Sequence, residues 1–159
     1  MNKYPNLLLD NQLCFSLYSA TNSITRYYRL YLKELGITYT QYLVLIALWE
    51  GDCKKASDIA SMLKLDLPTI TPILKKLEKM GLINKIRSSA DERVINVTLT
   101  KKGIDLEEPV AAIQDKVACK THLPSKEFNA LKKTLNELTA ALEISEHDLK
   151  EVNNFVSCD

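Results

Sequence analysis

The spacing of apolar side chains predicts a mostly helical chain. Between Asp10 and Leu35 an apolar residue returns every three or four positions, the period of a long amphipathic helix. Asp10 is the expected N-cap of this helix and Gly36 its end. The apolar stripe consists of Leu13, Leu17, Ala20, Ile24, Tyr27 or Tyr28, Tyr31 and Leu35.

Three shorter helices are predicted next. The first, capped at Thr38 or Thr40 and ended by Gly51, is apolar on nearly every side and should be buried. The second lies within residues 56–65. The third follows after very few residues, with Asp66 as its N-cap and Gly81 at its end, so that the last two form a helix-turn-helix.

The spacing of apolar residues then changes from a helical period to one typical of β-strands. Two β-branched runs between residues 82 and 100 flank the polar tip SSADER and predict a β-hairpin. A helix returns after Thr100, with a kink expected at Pro109, and a further amphipathic helix is predicted over residues 124–144. The tail, 145–159, fits one more short helix.

This order predicts a mainly α protein with a small β-wing, that is, a winged helix-turn-helix. We expect a single domain over residues 1–159, with the winged helix-turn-helix at about 38–100. The helices at 8–35 and 101–142 carry more apolar surface than so small a module can cover. We therefore expect these N- and C-terminal helices to form a two-fold homodimer.

Charge changes the picture through its distribution. The net charge is +1, but residues 64–102 hold nine basic and four acidic side chains, whereas residues 103–159 hold six and eleven. A basic middle segment is typical of a protein that meets a polyanion, here double-stranded DNA. A solvated basic face is the plainer interpretation.

Composition argues against a membrane protein, a secreted protein and a metal-binding protein. No apolar run reaches the roughly 18 residues of a transmembrane helix, and the N-terminus lacks a signal-peptide core. We expect a cytoplasmic protein without membrane contact, whose four cysteines are thiols at rest. Without a C-x-x-C motif or paired histidines, no metal site or cofactor is expected.

The predicted recognition helix supplies candidate DNA contacts. The core face of this helix is expected to consist of Ile70, Ile73, Leu74 and Leu77. The exposed side chains then include two threonines, which can bond phosphates or base edges, and three lysines, which can neutralise phosphates. These candidates are Thr69, Thr71, Lys75, Lys76 and Lys79. In the hairpin, Arg87 and Arg93 flank the tip with Asp91 between them; an ordinary surface ion pair is the alternative.

Cys14 is the candidate for thiol chemistry. Counted from Asp10 it is the fourth helical residue, close to the positive end of the helix dipole, which favours the reactive thiolate. Tyr18 follows one turn later on the same face. Tyr28 is roughly 21 Å further along the helix and can meet Cys14 only from a second, antiparallel copy. The alternative is a small buried hydrophobe.

Four segments together resemble the MarR family and, within it, the organic-hydroperoxide-sensing (OhrR-type) repressors. They are LDNQLCFSLYSA, ITYTQYLVLIALWE, TITPILKKLEKMGLI and DERVINVTLTKKG, and the resemblance runs from about Leu8 to Leu142. The first segment points to the thiol-sensing branch. The chain departs from the pattern at Leu67 and Pro68, where relatives more often carry small residues, which puts operator preference in doubt.

The resemblance implies a homodimeric repressor of a pseudo-palindromic operator that an organic hydroperoxide inactivates by oxidising Cys14. It implies that Tyr28 and Tyr39 contact this cysteine, that Cys119 is the resolving cysteine, and that Asp91 braces a minor-groove arginine. A packed core thiol is the alternative for Cys119, and the pattern assigns no role to Cys53 or Cys158.

Three other functions stay open. The first is a MarR-type regulator released by a small phenolic ligand, with Cys14 inert. The second is a small thiol peroxidase, which would leave the basic hairpin unexplained. The third is a protein-interaction module that uses the acidic C-terminal helices.

Overall fold

The computed structural model describes residues 4–87, 91 and 94–143. It divides the chain into two compact units, residues 1–120 and 121–159, which are described in turn. The elements of the first unit are α1 (Leu13–Leu32), α2 (Tyr39–Trp49), β1 (Lys54–Lys55), α3 (Ala56–Met62), α4 (Leu67–Lys79), β2 (Ile83–Arg87), β3 (Ile95–Leu99), α5 (Lys101–Asp105) and α6 (Glu107–Lys120).

Helix α1 begins later than the sequence predicted. Asp10 lies in a 3₁₀ turn, Leu9–Asn11, and the N-cap of α1 is Gln12, whose side chain makes no capping bond. The Asn11 amide donates to the Pro5 carbonyl (2.9 Å) and ties this turn to the preceding segment. The expected cap at Asp10 is therefore wrong, and Cys14 is the second residue of the helix.

The C-terminal end of α1 confirms the prediction that Gly36 ends the helical segment. A 3₁₀ turn, Lys33–Leu35, leads to Gly36, whose φ of +70° is the left-handed conformation that ends many helices. The Ile37 N–H then returns to the Leu32 carbonyl at 3.2 Å. This turn aims the chain into α2.

Helix α2 is the centre of the core. Thr38 caps it in a capping box with Gln41, as one of the two expected positions. Six of its eleven residues are buried, among them Val44, Leu45 and Leu48 with no exposed surface. Burial on nearly every side explains why its sequence shows no clear polar face.

Helices α3 and α4 form the expected helix-turn-helix. Ile59 of α3 and Ile70, Leu74 and Leu77 of α4 are almost completely buried. Asp66 caps α4 by accepting a hydrogen bond from the Thr69 N–H (2.9 Å). Gly81, with φ +70°, reverses the chain after α4, as predicted.

The predicted hairpin is present as β2 and β3, and a third strand joins it. The antiparallel order is β1-β3-β2, with Ile83 opposite Leu99 and Lys54 opposite Val97. Strand β1 has only two residues, too few for a sequence period to reveal. The tip residues 88–90, 92 and 93 are outside the described part of the chain.

The helix expected after Thr100 is broken rather than kinked. Thr100 caps α5 as predicted, accepting from the Gly103 N–H at 3.1 Å. The chain then interrupts at Leu106 and restarts as α6, in which Pro109 is the third residue. Proline lacks an N–H and its ring clashes with the carbonyl four residues earlier, so it fits a first turn better than a helix interior.

The second unit, as far as it is described, contains helix α7 (Ser125–Ala141). Phe128, Leu135 and Leu138 recur at helical spacing and are half-buried, whereas Leu131 is exposed. The short helix expected in the tail lies outside the described residues. Within the described part, no helix is long and apolar enough to cross a membrane.

Candidate nucleic-acid interface and thiol site

Helix α4 presents the predicted polar face to solvent. Thr69, Thr71, Lys75, Lys76 and Lys79 are all exposed. The face exists because the apolar residues Ile70, Leu74 and Leu77 recur at helical spacing and fix which side of the helix is buried. Ile73, half-buried, packs at the edge of the same core.

The first turn of α4 is rigid. Hydrogen bonds from the side chain and backbone of Thr69 hold the pKa of the Asp66 carboxyl below its usual value. The Thr71 hydroxyl donates to the Leu67 carbonyl at 2.6 Å. Both threonine hydroxyls thus have partners within the helix, and each still offers oxygen lone pairs to an incoming donor.

The three lysines of α4 carry free positive charge, since none forms a salt bridge with another described residue. The neighbouring acidic residue, Glu78, pairs instead with Lys85 of β2 at 2.8 Å. Because Glu78 is the one carboxylate of α4 and pairs with Lys85, it does not neutralise the lysines of α4. The face is therefore electropositive.

The hairpin is only partly placed. Arg87, at the end of β2, is exposed, and so is Asp91, whose carbonyl accepts from the Val94 N–H at 2.9 Å. Arg93 lies outside the described residues. The expected pairing of Asp91 with an arginine stays a prediction.

Cys14 is exposed near the start of α1. Tyr18, one turn on, is 65% exposed, and several large apolar side chains close to it in the sequence are exposed as well. This N-terminal apolar surface consists of Leu7, Leu8, Leu9, Leu13, Phe15 and Tyr18.

Two other described cysteines are exposed too. Cys119 is the penultimate residue of α6 and is exposed within the single chain. Cys53 stands between α2 and β1 with a left-handed φ of +60°. Cys158 lies outside the described residues.

Three tyrosines meet where α1 crosses the start of α2. The ring centroids of Tyr28 and Tyr39 are 5.1 Å apart, those of Tyr28 and Tyr42 5.1 Å, and those of Tyr39 and Tyr42 5.7 Å. The Tyr28 and Tyr42 hydroxyls both donate to Oε1 of Gln114 on α6, the latter at 2.9 Å. We call Tyr28, Tyr39 and Tyr42 the tyrosine cluster.

Sequence reasoning found Tyr28 and Tyr39 but missed Tyr42 and Gln114. Tyr42 follows Tyr39 at a spacing of three, which places both on one side of a helix and was a usable signal. Gln114 had no such signal, because its partners are 72 and 86 residues away.

Burial shapes the acidity of the tyrosine cluster. Desolvation raises the pKa of Tyr39, with a smaller contribution from the neighbouring Tyr28. Desolvation by burial likewise raises the pKa of Tyr42, and the neighbouring hydroxyls of Tyr28 and Tyr39 raise it further. These two phenols consequently stay protonated at neutral pH and remain hydrogen-bond donors.

A groove beside Tyr39 runs between α1 and the start of α2. Its volume is about 740 Å³, and its lining includes Thr21, Thr25 and Arg29 of α1, Lys33 just after α1, and Tyr39. Two cations and several hydroxyl donors make this groove suitable for an anionic group. We call it the cationic groove.

Within one chain the predicted thiol-site residues fall into two places. Tyr28 and Tyr39 are together, whereas Cys14 and Tyr18 lie near the other end of α1. Fourteen helical residues separate Cys14 from Tyr28, a rise of roughly 21 Å. No cluster of side chains able to hold a metal ion occurs among the described residues.

Comparison with known proteins agrees with this architecture. The family model described as transcriptional regulator SarA/Rot matches residues 26–109, more than half of the chain. The organic hydroperoxide resistance transcriptional regulator of Bacillus subtilis is 37% identical over 141 residues, which cover 89% of this chain and 96% of that protein.

Solved structures are similar as well. Reduced AbfR bound to DNA superposes with a TM-score of 0.74 at 35% identity and covers 89% of this chain and 97% of its own. Disulfide-formed AbfR gives 0.59 at 37% identity, with 85% and 90% covered; AbfR is a protein of Staphylococcus epidermidis. The chain thus belongs to the SarA/Rot transcriptional regulators, a MarR-family protein of the OhrR type and not an enzyme.

Proposed function

We propose that this regulator is a homodimeric repressor that binds double-stranded DNA and releases it when an organic hydroperoxide oxidises Cys14. One observation carries the proposal: Tyr28 and Tyr39 are gathered beside a cationic groove, while the exposed Cys14 of the same chain is roughly 21 Å away. Cys14 of one chain can meet Tyr28 and Tyr39 only when a second copy of the chain supplies these tyrosines.

The N-terminal apolar surface supports the dimer. Six large apolar side chains, all within seven residues of Cys14 in the sequence, are 40–65% exposed. Such a concentration of exposed large apolar side chains in one segment indicates an interaction surface. Two copies of α1 running antiparallel cover both patches and bring Cys14 of each chain to the tyrosine cluster of the other.

The tyrosine cluster and the cationic groove then stabilise the thiolate. The Tyr39 phenol donates a hydrogen bond to the sulfur anion, and Tyr28 does so once its O–H turns away from Gln114. Arg29 and Lys33 add favourable charge. Cys14, as the second residue of α1, also lies nearer to the positive helix end than the sequence suggested. All three effects favour the reactive form.

The chemistry balances as follows. The Cys14 thiolate attacks the terminal oxygen of the hydroperoxide, the O–O bond breaks, and the leaving alkoxide takes a proton to become an alcohol. Cys14 is left as a sulfenic acid. A thiol then attacks this sulfur and expels water, so that a disulfide forms; Cys119 of the other copy or a small thiol fills this role.

The DNA half of the proposal uses α4 and the hairpin. Two electropositive α4 faces, one from each copy, fit half-sites about one helical turn apart in a pseudo-palindromic operator. The hairpin, with Arg87, Asp91 and Arg93, extends the contact toward the minor groove. A disulfide that needs Cα atoms within about 7 Å pulls on the dimer and changes the spacing of the two α4 helices.

The relatives are consistent with this proposal. AbfR has been solved in a reduced form bound to DNA and in a disulfide form. The Bacillus subtilis relative is named for organic hydroperoxide resistance. Each similarity extends over at least 85% of the present chain.

A DNA band shift with reduced and cumene hydroperoxide-treated protein tests the proposal. The reduced protein should shift the operator, the treated protein should not, and a non-reducing gel should show whether the chains are cross-linked. Cys14→Ser should stay bound after treatment, whereas Cys53→Ser, the matched control, should respond like the unaltered protein. Release of Cys14→Ser by hydroperoxide would contradict the thiol switch and leave a non-covalent phenolic effector as the explanation.

A further inference from the structure

A second cavity, about 360 Å³ in volume, lies between α2 and α6; it is lined by no cysteine and shares Tyr42 with the tyrosine cluster. Tyr42, Ile46, Trp49 and Val110 form its apolar wall, and Glu50, Glu107 and Gln114 supply its polar groups. The volume lies in the range of small-molecule sites, which combine apolar walls with a few polar groups.

The aromatic wall of this cavity is held in place. The Trp49 indole N–H donates to the Gly103 carbonyl at 3.1 Å, so the ring cannot turn freely. Tyr42 is 4% exposed and is fixed by its hydrogen bond to Gln114. A rigid aromatic wall receives a ligand at a low entropic penalty.

The polar groups of the cavity are negative. Neither Glu50 nor Glu107 forms a salt bridge with a cation in the described part of the chain. Glu50 is the C-cap of α2, where the last carbonyls of the helix add partial negative charge. Glu107 is the first residue of α6, where the partial positive charge of the helix N-terminus offsets part of its negative charge. The adjacent Glu108 adds a second negative charge, so the local net charge stays negative.

We infer that the cavity between α2 and α6 binds a small amphiphilic cation, namely one aromatic ring that carries a single ammonium group. The ring packs against Trp49 and Val110, the ammonium lies between Glu50 and Glu107, and the aromatic faces add cation–π attraction. The two carboxylates repel an anionic ligand such as a carboxylate or phenolate. This specificity is opposite to that of the cationic groove.

Trp49 provides the readout, because it is the single tryptophan of the chain. We would titrate the full-length protein with benzyltrimethylammonium and follow the Trp49 fluorescence at constant ionic strength, with benzyl alcohol and benzoate as neutral and anionic comparisons. The cation should give a saturable change and bind at least about tenfold more tightly than either comparison. Equal binding of benzoate would overturn the inference.

Variants locate the site. The double change Glu50→Gln and Glu107→Gln preserves shape, removes both charges and should weaken binding of the cation about tenfold or more, with little effect on benzyl alcohol. Ala111→Leu, at the cavity wall, should block it, whereas Ala112→Leu, the next residue on α6 and outside the lining, should not. Unchanged binding in both the charge and the Ala111 variants would show that the cation binds elsewhere.

Cys14 does not line this cavity, although Tyr42 lines it and also belongs to the tyrosine cluster. Cys14→Ser should therefore bind benzyltrimethylammonium as the unaltered protein does. Loss of binding in that variant would contradict the inference, whereas retained binding would leave it standing even if hydroperoxide failed to release DNA.

Discussion

Gly103 is held so closely that no side chain fits. A Cβ at this position would lie 2.1 Å from the Leu82 carbonyl oxygen and 3.2 Å from Leu99. That carbonyl accepts a hydrogen bond from the Thr100 N–H at 3.0 Å and cannot move independently. Gly103 thereby lets α5 pack onto the end of the hairpin.

Replacing Gly103 with alanine should lower the free energy of unfolding by about 3 kcal/mol, because overpacking against backbone is costly. In an unconstrained helix the same change stabilises by about 1 kcal/mol, so the sign is diagnostic. Urea denaturation measures the difference. Gly51→Ala is the control: its Cβ meets only the flexible Lys54 Nζ at 3.0 Å, so a small change is expected.

The tyrosine cluster predicts a loss of stability in alkali. Burial raises the pKa of Tyr42 above its ordinary value of 10.0. The unfolded chain ionises first as the pH rises, while the folded protein keeps its proton, so the free energy of unfolding falls above about pH 10. Tyr42→Phe should make this fall shallower in urea denaturation at about pH 9 and about pH 11; an identical slope would contradict the assignment.

At the scale of elements, α4 contains two prolines in unequal positions. Pro68 is in the first turn, where backbone N–H groups have no helical acceptor, whereas Pro72 is in the interior and removes a hydrogen bond. The helix persists because Asp66 caps it and three apolar residues bury its inner face. Packing therefore outweighs the local propensity of Pro72.

Pro72→Ala should raise the free energy of unfolding by about 1–2 kcal/mol, since it restores the interior hydrogen bond and relieves the ring clash. Pro68→Ala, in the same helix, should change it by less than about 0.5 kcal/mol. Both values follow from urea denaturation monitored by circular dichroism. A similar response at the two positions would show that the α4 interior already accommodates proline without strain.

At the scale of the whole molecule, exposed leucines on α1 predict the homodimer. Leu13→Lys places a charge in the N-terminal apolar surface and should shift the protein to a monomer in light scattering after gel filtration. Met62→Lys is the matched control, because Met62 is 45% exposed on α3, outside that surface and outside the helices expected to form the dimer. A Leu13→Lys protein that stays dimeric would place the dimer contact elsewhere.

The charge of α4 predicts how DNA binding depends on salt. Lys76→Gln removes one phosphate contact per copy, so the slope of log K against log salt should become shallower by about 1.8 per dimer. Lys126→Gln, an exposed position on α7, should leave the slope unchanged. Affinities measured by fluorescence anisotropy at several salt concentrations test this, and an unaltered slope for Lys76→Gln would exclude the contact.

The sequence by itself determined the element types and much of the order. Period 3.6 and alternating β-branched runs report local backbone geometry, so the helix-turn-helix, the hairpin and the caps at Asp66 and Thr100 were all predictable. The start of α1 was not predictable, because an aspartate before an apolar stripe resembles an N-cap whether or not an α-helix begins there.

Only the tertiary structure decided which residues from different elements are in contact. Gln114 joins Tyr28 and Tyr42 across 86 and 72 residues, β1 pairs two residues with a distant strand, and Trp49 and Glu107 come to share one cavity. Such contacts depend on packing between elements, and no local period encodes them. The exposure of Cys14 belongs to the same class, because burial is a property of the neighbours that an element finds.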